Sequence, residues 1–216
     1  MSADTAPNAL EALAHDLAEA ARERAPHQGW TWQTLEAAAH ALGHPPEVAR
    51  AVFPQGPVAT IDHIALRADQ TTFQRLKNTD LSEMKIRNRI RTGVLWRLED
   101  DLAHPEATRR AIARLLLPDA GTQGPRLLWR TADHIWRGIG DPSLDENYYS
   151  KRTLLAGIWK QVVLTAIADG KDAAQQVLDR RIDDVMRFEG FKRKLPTFDL
   201  EGMMGTLGAW RHRAHT

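Results

Sequence analysis

Both tyrosines of this 216-residue chain stand side by side, Tyr148 and Tyr149, in the stretch SLDENYYSKRTLLAGIW, residues 143–159. Asp145 and Glu146 precede them, and Lys151 and Arg152 follow. Two phenol rings flanked by both charge signs suit one of two tasks. They can anchor a protein interface, where Tyr and Arg are enriched at the energetic centre. They can equally form the outer edge of a core, with a hydroxyl reaching water. Helical spacing separates them by about 100°, which aligns Tyr148 with Leu155, Trp159 and Val162, and Tyr149 with Arg152, Thr153 and Ala156.

Catalytic constellations do not emerge from the sequence. There is no Gly-x-Ser-x-Gly elbow, no phosphate-cradling glycine loop and no Glu-x-x-His pair for a di-iron centre. His40 and His44 straddle Gly43 at a helix end, a poor frame for a metal ion. With no cysteine, disulfides, thiolate zinc sites and a Cys nucleophile are excluded. The acids of Asp179-Arg180-Arg181-Ile182-Asp183-Asp184 read as ion-pair partners, Arg180 and Asp184 being four residues apart, rather than as a paired-carboxylate site. The expectation is a protein that is not an enzyme and needs neither metal nor cofactor.

The elements that must position the tyrosines all read as helices. Leu10, Leu13 and Leu17 mark a first amphipathic helix ending near Gly29; Trp32–Leu42 and a short helix over 46–53 follow, stopped by Gly43 and by Pro54 with Gly56. A longer helix starts after Pro57. Asp80 with Glu83 resembles a capping box for a helix over 81–102, with Leu81, Met84, Val94, Leu95 and Leu98 turned inward. Pro105 and Pro125 open two more helices. From Leu154 an apolar face repeats every four residues to Ile167, and Gly170 ends it before a helix over 173–191. The fold class expected is all-α, with about ten helices and no strand pattern. Its proposed organisation is a three-helix unit over 1–56, a larger helical domain over 57–196 and a C-terminal amphipathic helix over 197–216.

The front unit has the proportions of a helix-turn-helix, and such a unit before a larger helical domain resembles the TetR-type regulators. Its charge opposes DNA binding. Residues 1–60 hold three arginines against seven carboxylates, a net of −4, leaving +5 for the remainder of a chain whose total is +1. Cations supply most DNA affinity, and between Gln33 and Phe53 there is only Arg50 against Glu36 and Glu47. A cap packed by Trp30, Trp32 and Phe53, binding no nucleic acid, is preferred. A second basic face, Lys85, Arg87, Arg89, Arg91 and Arg97, reads as solvated surface.

Two runs, GDPSLDENYYSKRTLLAGIW and VLDRRIDDVMRFEGFK, together with the front GWTWQTLEAAAHALG and FPQGP, resemble the Coq-nine family of accessory lipid-binding proteins in ubiquinone (coenzyme Q) biosynthesis. The resemblance covers nearly the whole chain. It implies a TetR-like homodimer that has given up DNA, holds an isoprenoid lipid and presents quinone intermediates to a hydroxylase of the pathway. It implies a docking patch at Asp145, Asn147, Tyr148, Tyr149 and Arg152, although family members carry Trp at the position of Tyr148. The apolar face reads as plain core by periodicity; the resemblance makes it a lipid pocket, with Trp136, Leu155, Ile158, Trp159 and Val162 as lining. A TetR-type regulator with a hydrophobic effector is the alternative.

The tail adds an independent signal. Leu200, Met203, Met204, Leu207 and Trp210 share one side of a helix interrupted by Gly202, Gly205 and Gly208, each costing about 1 kcal/mol relative to Ala. Such a helix needs a surface to fold upon. Lys192, Arg193, Lys194, Arg211 and Arg213 flank it and would attract anionic headgroups. It either docks on its own domain or, as the resemblance implies, meets a membrane and an isoprenoid quinone precursor or phospholipid. With no secretory leader or membrane span in the sequence, the expected location is cytoplasmic, peripheral on the inner membrane, as in a bacterial-type member.

Overall fold

The computed structural model describes residues 5–142 and 146–192, with side chains placed for 9–142 and 148–187. Among the described residues there are nine α-helices and no strand. They are α1 (Thr5–Gln28), α2 (Trp32–Ala41), α3 (Glu47–Val52), α4 (Pro57–Lys77), α5 (Ile86–Ala103), α6 (Pro105–Leu115), α7 (Gln123–Gly138), α8 (Glu146–Asp169) and α9 (Lys171–Lys192). A 3-10 turn at Pro118–Ala120 lies between α6 and α7. The tail residues Leu200, Met203, Met204, Leu207 and Trp210 lie outside the described residues. The chain divides into two compact units at Arg180/Arg181. Within the second, Asp184 pairs with Arg181 at 3.6 Å and with Arg187 at 3.0 Å.

Local chemistry sets most boundaries. Prolines occupy the first turns of α4 and α6, where their missing N–H costs nothing. Thr31 caps α2 by accepting the Thr34 N–H at 3.1 Å, and the Thr34 hydroxyl donates to the Gly29 carbonyl at 2.7 Å. One expected start is overturned. Asp80 does not cap a helix; its carboxylate accepts the Ser82 N–H at 2.9 Å in a local turn. Arg89 reinforces that turn by donating to the Met84 carbonyl at 2.8 Å and the Ser82 carbonyl at 3.0 Å. The helix therefore begins at Ile86.

The three front helices share a core with the body. Leu17, Ala18, Ala21 and Ala25 of α1 pack with Leu35, Ala38 and Ala39 of α2 in a cluster that also contains Ile61, Ala107 and Leu127. Alanines let these helices approach closely. Trp30 donates its indole N–H to the Ala107 carbonyl at 3.0 Å, tying the front unit to α6. Trp30 and Phe53 are buried, as a packed cap requires. Trp32 is half-buried beneath the Arg50 guanidinium, 4.4 Å from its ring centre, and Arg50 pairs with Glu36 at 2.8 Å.

The middle of the body is charged. Asp69 of α4 is fully buried and accepts Arg97 of α5 at 2.8 Å, Arg130 of α7 at 3.1 Å and the Thr131 hydroxyl at 2.8 Å. Arg97 also reaches Asp101 at 2.9 Å and lies over the Trp159 ring of α8. Arg130 adds Asp62 at 2.6 Å. Arg97 thus leaves the solvated basic face on which its spacing put it, and Arg91 of that face pairs with Asp179 at 2.6 Å. Both changes have one cause: a carboxylate on another helix lies within reach.

Gly56 joins α3 to α4 with φ of 72°, and a Cβ there would stand 2.7 Å from the Trp32 ring. Replacing Gly56 with Ala is expected to cost about 2 kcal/mol, from left-handed strain plus overpacking. Urea unfolding would show the loss as a lowered midpoint with an unchanged slope.

Candidate partner-docking site and an apolar cavity

The tyrosines sit where α8 meets α7. Arg152, one turn into α8 from Tyr148, is 1% exposed. Its Nε donates to Asp133 of α7 at 2.6 Å, and its Nη1 donates to the Tyr148 carbonyl at 3.1 Å and to Asp141 at 3.4 Å. Lys151 also bonds Asp141, at 2.8 Å, and Trp136 donates its indole N–H to the Lys151 carbonyl at 3.1 Å. A guanidinium this deep needs carboxylates at hand, because its desolvation is otherwise uncompensated. Asp133 and Asp141 supply them from both sides of the α7 terminus.

Tyr148 is built into the same network. Its ring centre lies 3.4 Å from the Arg152 guanidinium carbon, and its hydroxyl donates to the Asp133 oxygen that also accepts Arg152, at 3.1 Å. Burial, then the hydrogen bond to Asp133 and its negative charge, push the Tyr148 phenol above its ordinary pKa, keeping it a neutral donor. Trp129 lies 6.0 Å away on one side, and the Tyr149 ring meets the other edge-on at 5.1 Å. Tyr149 itself is 66% exposed.

The five docking residues therefore separate. Tyr149 is the surface aromatic and Tyr148 its half-buried support. Arg152 as a contact residue is corrected: its guanidinium is enclosed and committed to Asp133 and Asp141. Asn147 lies in α8 with its side chain outside the described set, and Asp145 lies outside the described residues. Asp133 and Asp141 were missed by sequence reasoning. A carboxylate between Ala132 and Ile135, on the buried side of α7, is the signal that could have found the first.

A cavity of about 120 Å³ borders the other charged cluster, at Arg97 and Thr131, and is walled by Ile61 and Ile64, by Ala111 and Leu115, and by Leu127 and Trp159. Arg22, Arg97, Asp100 and Asp101 give it a charged end. Of the expected lining, only Trp159 is on this wall. Trp136, Leu155 and Val162 are buried in closed packing and Ile158 is half-buried elsewhere on α8. Cavities of about 150 Å³ accept a benzene ring, so this one is smaller than such a site and would have to widen to admit an isoprenoid chain.

Asp101 at the charged end titrates abnormally. Burial, aided by the charges of Asp100 and Asp69 and opposed by Arg97, pushes its carboxyl up to about 6. A carboxyl whose folded pKa is raised binds its proton more tightly in the folded state, so its contribution to stability grows as pH falls from about 6 toward 4. Asp101→Asn should flatten the slope of melting temperature over that interval, removing a dependence of about 2–3 kcal/mol at most. In the tyrosine network, Asp133→Ala should cost about 3 kcal/mol by stranding Arg152. Tyr149→Ala should stay within about 0.5 kcal/mol, both read by urea unfolding.

The sequence model of the COQ9 family matches residues 121–189, the segment that carries α7, the Asp141 loop and α8. "Ubiquinone biosynthesis protein COQ9, mitochondrial" of Rattus norvegicus is 26% identical over 208 residues, 92% of this chain and 67% of that protein. The Homo sapiens protein of the same name is 26% identical over 209 residues, 92% of this chain and 65% of its own. This chain is similar to the COQ9 proteins over most of its length. The family resemblance read from the tyrosine run and VLDRRIDDVMRFEGFK holds. The chain spans about two thirds of the length of these relatives. Among solved structures, a TetR transcriptional regulator from Nitrosomonas europaea superposes with a TM-score of 0.62 at 17% identity, covering 79% of this chain and 96% of that one. The fold is all-α and TetR-like.

Proposed function

We propose that this COQ9-like chain serves ubiquinone biosynthesis as a non-catalytic accessory protein. It takes up an isoprenoid quinone intermediate at a membrane and presents it to a hydroxylase of the pathway. The observation that carries the docking part is the exposed Tyr149, held edge-on by a Tyr148 that is itself fixed to Asp133 and Arg152. The relatives named for ubiquinone biosynthesis support the pathway. The apolar cavity beside Trp159, widened by displacement of its helices, is the proposed lipid site. The tail residues Leu200, Met203, Met204, Leu207 and Trp210 are the proposed membrane contact.

No helix among the described residues is long and apolar enough to cross a membrane, so the proposed attachment is peripheral, on the inner membrane of a bacterial-type cell. Leu154 and Leu164 of α8 are 48% and 42% exposed and offer an apolar face for the proposed homodimer. The regulator alternative draws on the fold neighbour. It is disfavoured because Arg50, the single cation between Gln33 and Phe53, is already held by Glu36 and Trp32.

Mass spectrometry of lipids extracted from the native protein should find stoichiometric isoprenoid quinone or phospholipid, depleted by Leu200/Met203/Leu207→Asp. An empty protein would sink the carrier reading. Tyr149→Ala should weaken hydroxylase binding about tenfold or more without changing helical content or lipid load. Unchanged affinity would remove Tyr149 from the interface.

A further inference from the structure

The turn between α6 and α7 exposes two adjacent leucines. Leu116 is 80% and Leu117 51% exposed, the first the most exposed large apolar side chain among the described residues. They are not there through looseness of the backbone. The Leu116 N–H bonds the Ala113 carbonyl and the Leu117 N–H the Arg114 carbonyl, both at 3.3 Å; the Leu117 carbonyl accepts Ala120 at 3.0 Å. Pro118 restricts Leu117 to the extended region, where it lies at φ −72°, ψ 147°. The turn is hydrogen-bonded through, and it holds the leucines outward.

The surroundings are cationic. Residues 106–126 carry Arg109, Arg110 and Arg114 of α6 and Arg126 of α7 against Glu106 and Asp119, a surplus of two positive charges along this segment. Glu106 pairs with Arg109 at 3.0 Å and Arg110 at 3.2 Å, and Asp119 takes Arg114 in a two-pronged bond. Arg126 is exposed. Two side chains cover far less than the roughly 800 Å² per partner that a stable protein interface buries. A bilayer demands no such area or shape match. It rewards a small apolar knob with cations beside it.

We propose that the Leu116–Leu117 turn inserts into the surface of an anionic bilayer, as a membrane contact separate from the tail. The same two helices that meet in this turn supply Ala111, Ile112, Leu115, Leu127 and Leu128 to the cavity wall. Insertion therefore brings the cavity's α6–α7 side to the acyl region, and in this respect the proposal deepens the lipid reading while not requiring its docking part.

The absence of cysteine makes the test direct. Leu117→Cys in the full chain, labelled with an environment-sensitive fluorophore, is mixed with phosphatidylcholine vesicles with and without phosphatidylglycerol. The expected result is a blue-shifted emission on the anionic vesicles, weaker on phosphatidylcholine alone. In co-sedimentation of the unlabelled chain, Leu116→Ser and Leu117→Ser should each lower vesicle partitioning about tenfold, with unchanged circular dichroism. A vesicle-bound chain whose label stays in water overturns the proposal, as does a chain that does not bind vesicles. Emission that shifts without vesicles, and more so at higher protein concentration, overturns it in favour of a second copy covering the turn. The carrier reading fails separately: a label that inserts on a chain carrying no extracted lipid leaves this proposal standing alone.

Discussion

Among the described residues two arginines, Arg97 and Arg152, are buried, and burying a charge is tolerated only with opposite charge and hydrogen bonds in place. Arg97 and Arg152 meet that condition with carboxylates from elsewhere in the fold: Asp69 of α4 for the first, Asp133 of α7 and Asp141 of the loop after it for the second. The consequence is geometric. α4, α5 and α7 must hold their relative positions for Asp69 to satisfy Arg97, Arg130 and Thr131 together. α7 and α8 must do so for Asp133 to satisfy Arg152 and Tyr148 with one oxygen. Apolar packing alone tolerates sliding; these bonds fix a register.

The second of these clusters explains the adjacent tyrosines with which the sequence presents itself. They do not share a task. Tyr148 belongs to the interior network, as a hydroxyl donor and as the ring beneath a buried cation. Tyr149, about 100° further around the helix, belongs to the surface. Of the two readings that spacing left open, the core edge describes Tyr148, while Tyr149 is exposed and leaves its ring to solvent.

Helix existence was legible because apolar periodicity and proline punctuation are local signals. The stripe Leu155, Trp159, Val162 and the starts at Pro57 and Pro105 came through unchanged. What failed depended on partners distant in the chain. Asp80 and Glu83 satisfy a capping pattern, yet Asp80 spends its carboxylate on Ser82 and Arg89 ties off the preceding carbonyls. Arg97 sits on a helix with three other arginines, and only the position of Asp69, 28 residues earlier, draws it inside. Arg152 carries a docking signature by motif but is enclosed by residues 11 and 19 positions away. Cavity lining was illegible for a different reason: a void is whatever packing leaves over, and Trp136, Leu155 and Val162 are as apolar as the residues that do border it.

The edge-on contact of Tyr149 with Tyr148 also bears on rates. A free surface tyrosine samples several rotamers, and association must freeze them, at a cost of about 0.5–1.5 kcal/mol for a side chain immobilised on binding. Tyr149 has one flank already restricted by a ring that is itself pinned to a buried ion pair. Much of that ordering is complete when the chain folds, so any surface that receives Tyr149 meets a side chain whose direction is set in advance, and fewer encounters are lost to misorientation.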